Sequence, residues 1–234
     1  PQTLYPMDPS PRELIVKLMK EKVALKQTVA ERTEEGFVLL KRMLRDLFSD
    51  LQGEVKRIGK NIPLEYKDRG DYRVDFTLGD DYLVFQLHTN VFTFEGSHEV
   101  WKTSYVRDDA SRSFVGKILV YNFLTESMTY NRPNDLGYLI ARIFINKENH
   151  YFVEGKRQLG FLYNDFSSLE FNEEAVRKVL ESAILYSLDF DPFTPPYDQV
   201  IQVTVGEIQE TEVQAKIATG KRLGFRFQTD SGAI

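Results

Sequence analysis

The pattern of apolar positions changes period once, near Pro63, and that change divides the chain. Before it the spacing is helical. Ser10-Pro11-Arg12-Glu13 sets a capping serine before a proline at the first helical position, with glutamate where a capping box needs it. Leu14, Leu18, Leu25 and Val29, flanked by Ile15 and Met19, then recur on one face. A second stripe, Phe37, Leu40, Leu44, Leu47 and Leu51, alternates steps of three and four, the a/d seam of two heptads. Between the stripes, Thr33-Glu34-Glu35-Gly36 can cap a new helix and give a helical hairpin. A single long helix is the alternative, because an interior glycine costs only about 1 kcal/mol.

After Pro63 the period falls to two. Tyr72, Val74, Phe76 and Leu78 alternate with polar residues, as do Leu83, Phe85 and Leu87, and Gly79-Asp80-Asp81 lies between the runs. This is a hairpin. A turn at Gly79-Asp80 sets Val74 opposite Phe85 and Phe76 opposite Leu83; a turn at Asp80-Asp81 slips the register by two and keeps the apolar set together. Further strands are expected at Val91–Phe94, Val100–Val106, Lys117–Phe123 and Val200–Val205, the third too apolar to be exposed on both faces. Asn172 caps a second clear helix, Glu173–Leu188, whose face Val176, Val179, Leu180, Ala183 and Ile184 is apolar.

The residues from Asp135 to Asp165 read as one long hairpin. A three-residue loop with Asn149 in the left-handed position sets Asn146 opposite His150 and Arg142 opposite Glu154. One face, with Leu139, Ala141, Ile143, Ile145, Tyr151 and Val153, reads as core. The other carries Tyr138, Ile140, Arg142, Phe144, His150, Phe152, Glu154 and Lys156. From this mixed face Tyr138, Arg142, His150, Glu154 and Lys156 are the candidate ligand- or partner-binding residues, since arginine and aromatics are enriched in binding surfaces.

Together these elements give an α+β fold: an N-terminal helical region (1–62), a mainly antiparallel meander of six to eight strands with helix 173–188 on one face (63–206), and a polar tail (207–234). Short turns join consecutive strands, and parallel pairing would need crossover helices that the middle of the chain lacks. The expected core comprises Tyr72, Val74, Phe76, Leu83, Phe85, Leu139, Ile143, Ile145, Val153, Val179 and Ile184.

Composition narrows the chemistry. There is no cysteine, so disulfides, thiolate metal sites and cysteine nucleophiles are excluded. A formal charge of −5 argues against a generic nucleic-acid binder. No apolar run approaches the roughly 20 residues of a membrane helix, so no membrane association is expected and a cytoplasmic location is the default. Charge is uneven: residues 11–62 hold 12 Lys/Arg and 8 Asp/Glu, a net of +4, leaving −9 elsewhere.

Pro133-Asn134-Asp135 followed by Glu154-Gly155-Lys156 imitates the spaced acid-then-ExK signature of metal-dependent nucleases, in which two carboxylates hold Mg²⁺ and a lysine orients water. Strand counting argues against it. Asp135 and Glu154 fall about seven residues apart along the ladder, roughly 23 Å. The histidines His88, His98 and His150 show no metal-ligand spacing, and neither a G-x-S-x-G elbow nor a glycine-rich phosphate loop is present. The polar loop Arg107–Arg112 reads as an internally ion-paired connection. No metal or cofactor is expected. The sequence therefore points to a non-catalytic protein-interaction or small-ligand module acting as a homodimer, with Phe37, Leu40, Leu44, Leu47 and Leu51 as the oligomer interface. A metal-dependent hydrolase or nuclease using Asp135, Glu154 and Lys156 is the alternative.

Overall fold

In the computed structural model, which describes residues 10–191, 194, 196–199, 201, 202 and 204–206, one rod of helix lies along a six-stranded meander. The rod consists of α1 (Pro11–Leu18), a widened π turn (Met19–Val23) and α2 (Ala24–Ile58). The capping box forms as its residues dictate: the Glu13 N–H donates to Ser10 Oγ (3.3 Å) and the Ser10 N–H to the Glu13 carboxylate (2.8 Å). Gly59, left-handed at φ 68°, ends α2.

The helical hairpin expected at Thr33–Gly36 does not form; the single long helix does. Gly36 is an interior helical residue, and its missing side chain is used for packing. A Cβ there would lie 2.9 Å from Ile145 Cδ1 and 3.1 Å from the Phe171 ring. Opposite, a Cβ on Gly116 would lie 2.0 Å from Thr33 Oγ1. The Thr33 hydroxyl is turned back to donate to the Val29 carbonyl (2.7 Å), so a β-branched polar residue is buried without an orphaned group.

The strands are β1 (Leu64–Asp68), β2 (Arg73–Leu78), β3 (Asp81–Phe92), β4 (Val115–Leu124), β5 (Tyr138–Asn146) and β6 (Tyr151–Gly155), each antiparallel to its sequence neighbours, with a short helix α4 (Thr125–Thr129) after β4. Val74 faces Phe85 and Phe76 faces Leu83, the register of a Gly79-Asp80 turn, with Gly79 at φ 60°. One sheet face joins α2 and α6 (Glu173–Leu188) in a single core. Phe37, Leu40, Leu44 and Leu47 of α2 and Val176, Val179, Leu180 and Ile184 of α6 meet Val74, Phe76, Phe85, Ile118, Val120 and Ile143. The a/d seam thus lies on its own sheet, with Leu51 half-buried at its end, and is not a surface offered to a second copy. Within a chain that has a sheet to cover, two heptads of apolar spacing serve helix-on-sheet packing as well as helix-on-helix packing.

Three further expectations are corrected. Val100–Val106 is not a strand. His98, Thr103 and Asp109 each offer a side-chain acceptor to an N–H two or three residues on, which starts helical turns at Glu99–Lys102, α3 (Ser104–Asp108) and Ala110–Ser113. These turns lie over the second sheet face, where Val100, Tyr105 and Val106 pack on Phe144, Phe152 and Phe166. Second, the β4–β5 register shifts between Val120 and Tyr121, which pair with Ala141 and Leu139. Ile140 is the extra residue of a β-bulge, so it is buried (2% exposed) while Leu139 is 39% exposed, the reverse of simple alternation. Tyr72, before β2, is also exposed. Third, the long hairpin stops at Gly155: Arg157 takes φ 49° and the chain turns into α5 (Gln158–Phe161). The expected strand at Val200–Val205 lies partly outside the described residues and is absent from those described; the tail 207–234 lies outside them altogether.

Close packing at Thr33 and Gly116 makes a sharp prediction. Gly116→Ala is expected to cost about 1–3 kcal/mol by overpacking. Gly53→Ala, with nothing within 4 Å of the new Cβ, is expected to be neutral or to stabilise by up to about 1 kcal/mol through helix propensity. Urea denaturation of both variants checks this; equal effects would show that the helix does not approach the sheet this closely.

Candidate functional site

The register sets five side chains in a row across the second face of the sheet: Arg73, Gln86, Leu119, Arg142 and Glu154, one per strand from β2 to β6. Arg142 and Glu154 form the expected cross-strand ion pair. A residue the sequence reading did not associate with them completes it. His98 Nε2 lies 3.1 Å from the Glu154 carboxylate, its Nδ1 accepts the Val100 N–H (3.2 Å), and its ring stacks on Phe94 at 4.4 Å. A ring nitrogen that accepts a backbone N–H carries no proton, so Nε2 holds the hydrogen and donates to Glu154. Glu154 is therefore held between two donors.

The other candidate residues are dispersed. Asp135 lies before β5, where its carboxylate accepts from Ser127 Oγ (2.6 Å) and sits 3.7 Å from the Arg132 guanidinium. It is seven residues from Arg142, the cross-strand partner of Glu154. Lys156 is exposed just after β6, its N–H donating to the Ile140 carbonyl (3.1 Å). The acid-then-ExK pattern thus assembles no metal site, and no cluster of three metal-ligating side chains occurs among the described residues. His150 stacks on Tyr105 (5.1 Å), with Nδ1 3.2 Å from the Phe166 carbonyl, and serves the smaller aromatic core. Tyr138 meets Phe190 edge-on at 6.4 Å.

The polar loop is ion-paired to the β5–β6 turn rather than within itself, as its composition alone suggested. Asp109 accepts from Lys147 (2.5 Å) and from the Ser111 N–H (2.9 Å). Arg112 donates to Glu148 (3.0 Å) and lies 4.4 Å over the Tyr105 ring. The Lys147 hydrogen bond holds the Asp109 carboxyl well below its ordinary range. Burial pushes Glu148 up, but hydrogen bonds from Tyr105 and Arg112 outweigh it and hold the group low. Burial drives the Tyr105 phenol up to about 12.

What remains open on this face is the middle of the sheet. Leu119 and Tyr121 of β4 are only half-buried, although β4 is a central strand. Cations frame them. Arg73 and Arg69 converge on the buried Asp75 carboxylate (2.6 and 2.9 Å), which also accepts from the Tyr82 hydroxyl (2.6 Å). The Lys117 ammonium lies 3.8 Å over the Phe92 ring, has no carboxylate within ion-pair distance among the described residues, and its pKa is lowered by burial and by neighbouring Arg142. Four cations (Arg69, Arg73, Lys117, Arg142) thus meet two carboxylates (Asp75, Glu154), a formal excess of +2 on a chain whose net charge is −5. One signal for this patch was legible: in Lys117–Phe123 every second residue had to leave the core, and Leu119, Tyr121 and Phe123 are those residues. Arg73, on β2, and Arg69, in the turn before it, carried no apolar signal of this kind.

Compared with known proteins, the chain matches no family model, no curated protein and no solved structure. No helix among the described residues is long and apolar enough to cross a membrane.

The depressed carboxyls fix the sign of a pH effect. A group whose folded pKa lies below its unfolded value, near 4 for these side chains, contributes stability above that value and loses it as pH falls through the folded one. Asp109→Asn is therefore expected to lower the melting temperature at pH 7, and to shrink the further loss that wild type shows between about pH 4 and 2. Thermal scans across this range check it. An unchanged acid limb in the variant would remove the Asp109–Lys147 pair from the account.

Proposed function

We propose that the chain is a non-catalytic binding module, working as a homo-oligomer in the cytoplasm, whose open sheet face receives an anionic partner segment or small ligand. The observation that carries this reading is the half-exposed Leu119–Tyr121 centre framed by Arg73, Lys117 and Arg142. An apolar and aromatic centre with a charged rim is the make-up of a binding patch. The cation excess gives it a sign, and the Asp75 and Glu154 networks hold the arginines in place before any partner arrives, which lowers the ordering cost of binding.

The hydrolase alternative has less behind it. Asp135 is separated from Glu154 and Lys156, and Glu154 is already engaged by Arg142 and His98.

Native mass spectrometry of the purified chain is expected to find an acidic ligand or partner in wild type. The double variant Leu119→Asp, Arg142→Glu is expected to lose it while keeping the far-ultraviolet circular dichroism of the fold. Mg²⁺ or Mn²⁺ is expected to leave the melting temperature unchanged, whereas a two-carboxylate site would raise it by mass action. Retention of the ligand by the double variant, or a metal-dependent rise, would overturn the reading.

A further inference from the structure

The seam that packs on the sheet leaves another apolar stripe uncovered. Every residue from Ser10 to Ala24 is exposed, including Leu14 (44%), Ile15 (58%), Leu18 (56%), Met19 (57%) and Val23 (59%). Leu25 is half-buried, Val29 is fully buried, and from there the rod lies on the sheet. The apolar stripe therefore does not end where the body ends. It projects beyond it on a helix whose first turn is secured by a complete capping box.

We propose that this projecting segment, Ser10–Leu25, is a self-association arm that pairs antiparallel with the same segment of a second copy. The inference deepens the homo-oligomer part of the reading above and is independent of what the sheet face binds.

Area supports a second copy as the occupant. At about 25 cal/mol per Å², the 1.5–3 kcal/mol gained by burying one such side chain corresponds to roughly 60–120 Å². Five or six side chains on each of two arms then remove on the order of 1,000 Å² from water, where specific interfaces begin. Charge supports the antiparallel direction. Residues 10–28 hold five basic and two acidic side chains, a net of +3, which leaves −8 on the rest of the chain. Parallel pairing would set two acidic bodies side by side. Antiparallel pairing, crossing near Leu18 and Met19, puts the bodies at opposite ends and carries the tip of each arm, with Arg12, toward the other copy's root, where Glu31, Glu34 and Glu35 are exposed. The same acidic body opposes docking on an anionic membrane, the other common use of a basic amphipathic helix.

Light scattering and sedimentation equilibrium on the full chain test the proposal. Wild type is expected to give twice the chain mass at micromolar concentration. Leu14→Asp with Leu18→Asp is expected to give the monomer mass with the far-ultraviolet circular dichroism of the fold retained, because both side chains are exposed. Since the chain has no cysteine, orientation is read directly: Leu18→Cys is expected to oxidise to a disulfide-linked dimer and Leu14→Cys is not. A monomeric wild type, a dimer that survives the two aspartates, or efficient cross-linking at Leu14→Cys would overturn the proposal. So would a monomer that sediments with vesicles of equimolar phosphatidylserine and phosphatidylcholine. A dimeric wild type that carries no acidic ligand would count against the binding reading alone.

Discussion

The architecture depends on one close approach. Where α2 crosses the sheet, Gly36 faces Ile145 and Phe171, and Gly116 faces Thr33, and at neither glycine is there room for a side chain without displacing its neighbours. Cores are packed as densely as organic crystals, so this contact sets both the depth at which the helix lies and the point along it that meets β4 and β5. From that point the rest follows by helical spacing. Phe37, Leu40, Leu44 and Leu47 are laid over the sheet in succession, α6 takes the space beside them, and the first four turns of the rod pass beyond the body. A glycine that costs about 1 kcal/mol as a helical residue is retained because a larger one would hold the two layers apart.

Committing both long helices to one sheet face leaves the other to be covered by local means. The connection between β3 and β4 does part of this, folding into three short helical turns over Phe144 and Phe152. The remainder is closed by polar chemistry. Asp75 is 1% exposed, yet it is bound by two arginines and a tyrosine hydroxyl, so its burial leaves no uncompensated charge. The same arginines remain partly exposed at 48% and 38% of their side chains and present their outer faces to solvent. Stability and recognition thus draw on the same groups here: the network that makes a buried carboxylate tolerable also fixes the cations of the candidate surface.

Elements were legible in the sequence wherever one local rule acted alone. The switch of period at Pro63, the Gly79-Asp80 hairpin, the Asn149 turn and the Arg142–Glu154 pair all follow from spacing and turn chemistry over a dozen residues or fewer. Legibility failed where a distant contact reversed a local preference. Gly36 reads as a break until Ile145 and Phe171 are seen against it. Leu139 reads as core until the bulge opposite Val120 and Tyr121 turns Ile140 inward instead. Val100–Val106 has strand-forming residues, but three successive capping side chains favour turns. Of the candidate site, Arg142 and Glu154 were readable as a pair. His98, 56 residues from Glu154 in sequence, was not, since nothing in a single sequence links side chains across elements whose neighbours are unknown. The convergence of Arg69 and Arg73 on Asp75 spans only seven residues, and strand alternation already sets Arg73 and Asp75 on one face.

The two apolar stripes of the rod look alike in sequence, and magnitudes separate their roles. To offer Phe37, Leu40, Leu44 and Leu47 to a second copy, α2 would have to leave the sheet. That would expose four core side chains worth about 1.5–3 kcal/mol each, roughly 6–12 kcal/mol in all, comparable with the whole stability of an ordinary domain. Exchange with an identical rod could recover that energy only by reproducing the Thr33–Gly116 contact between chains. The stripe around Leu14 and Leu18 carries no such penalty, because it is already exposed. An association that begins from exposed surface needs to offset only the entropy of bringing two chains together, so the arm is the part of the rod at which pairing leaves the fold intact.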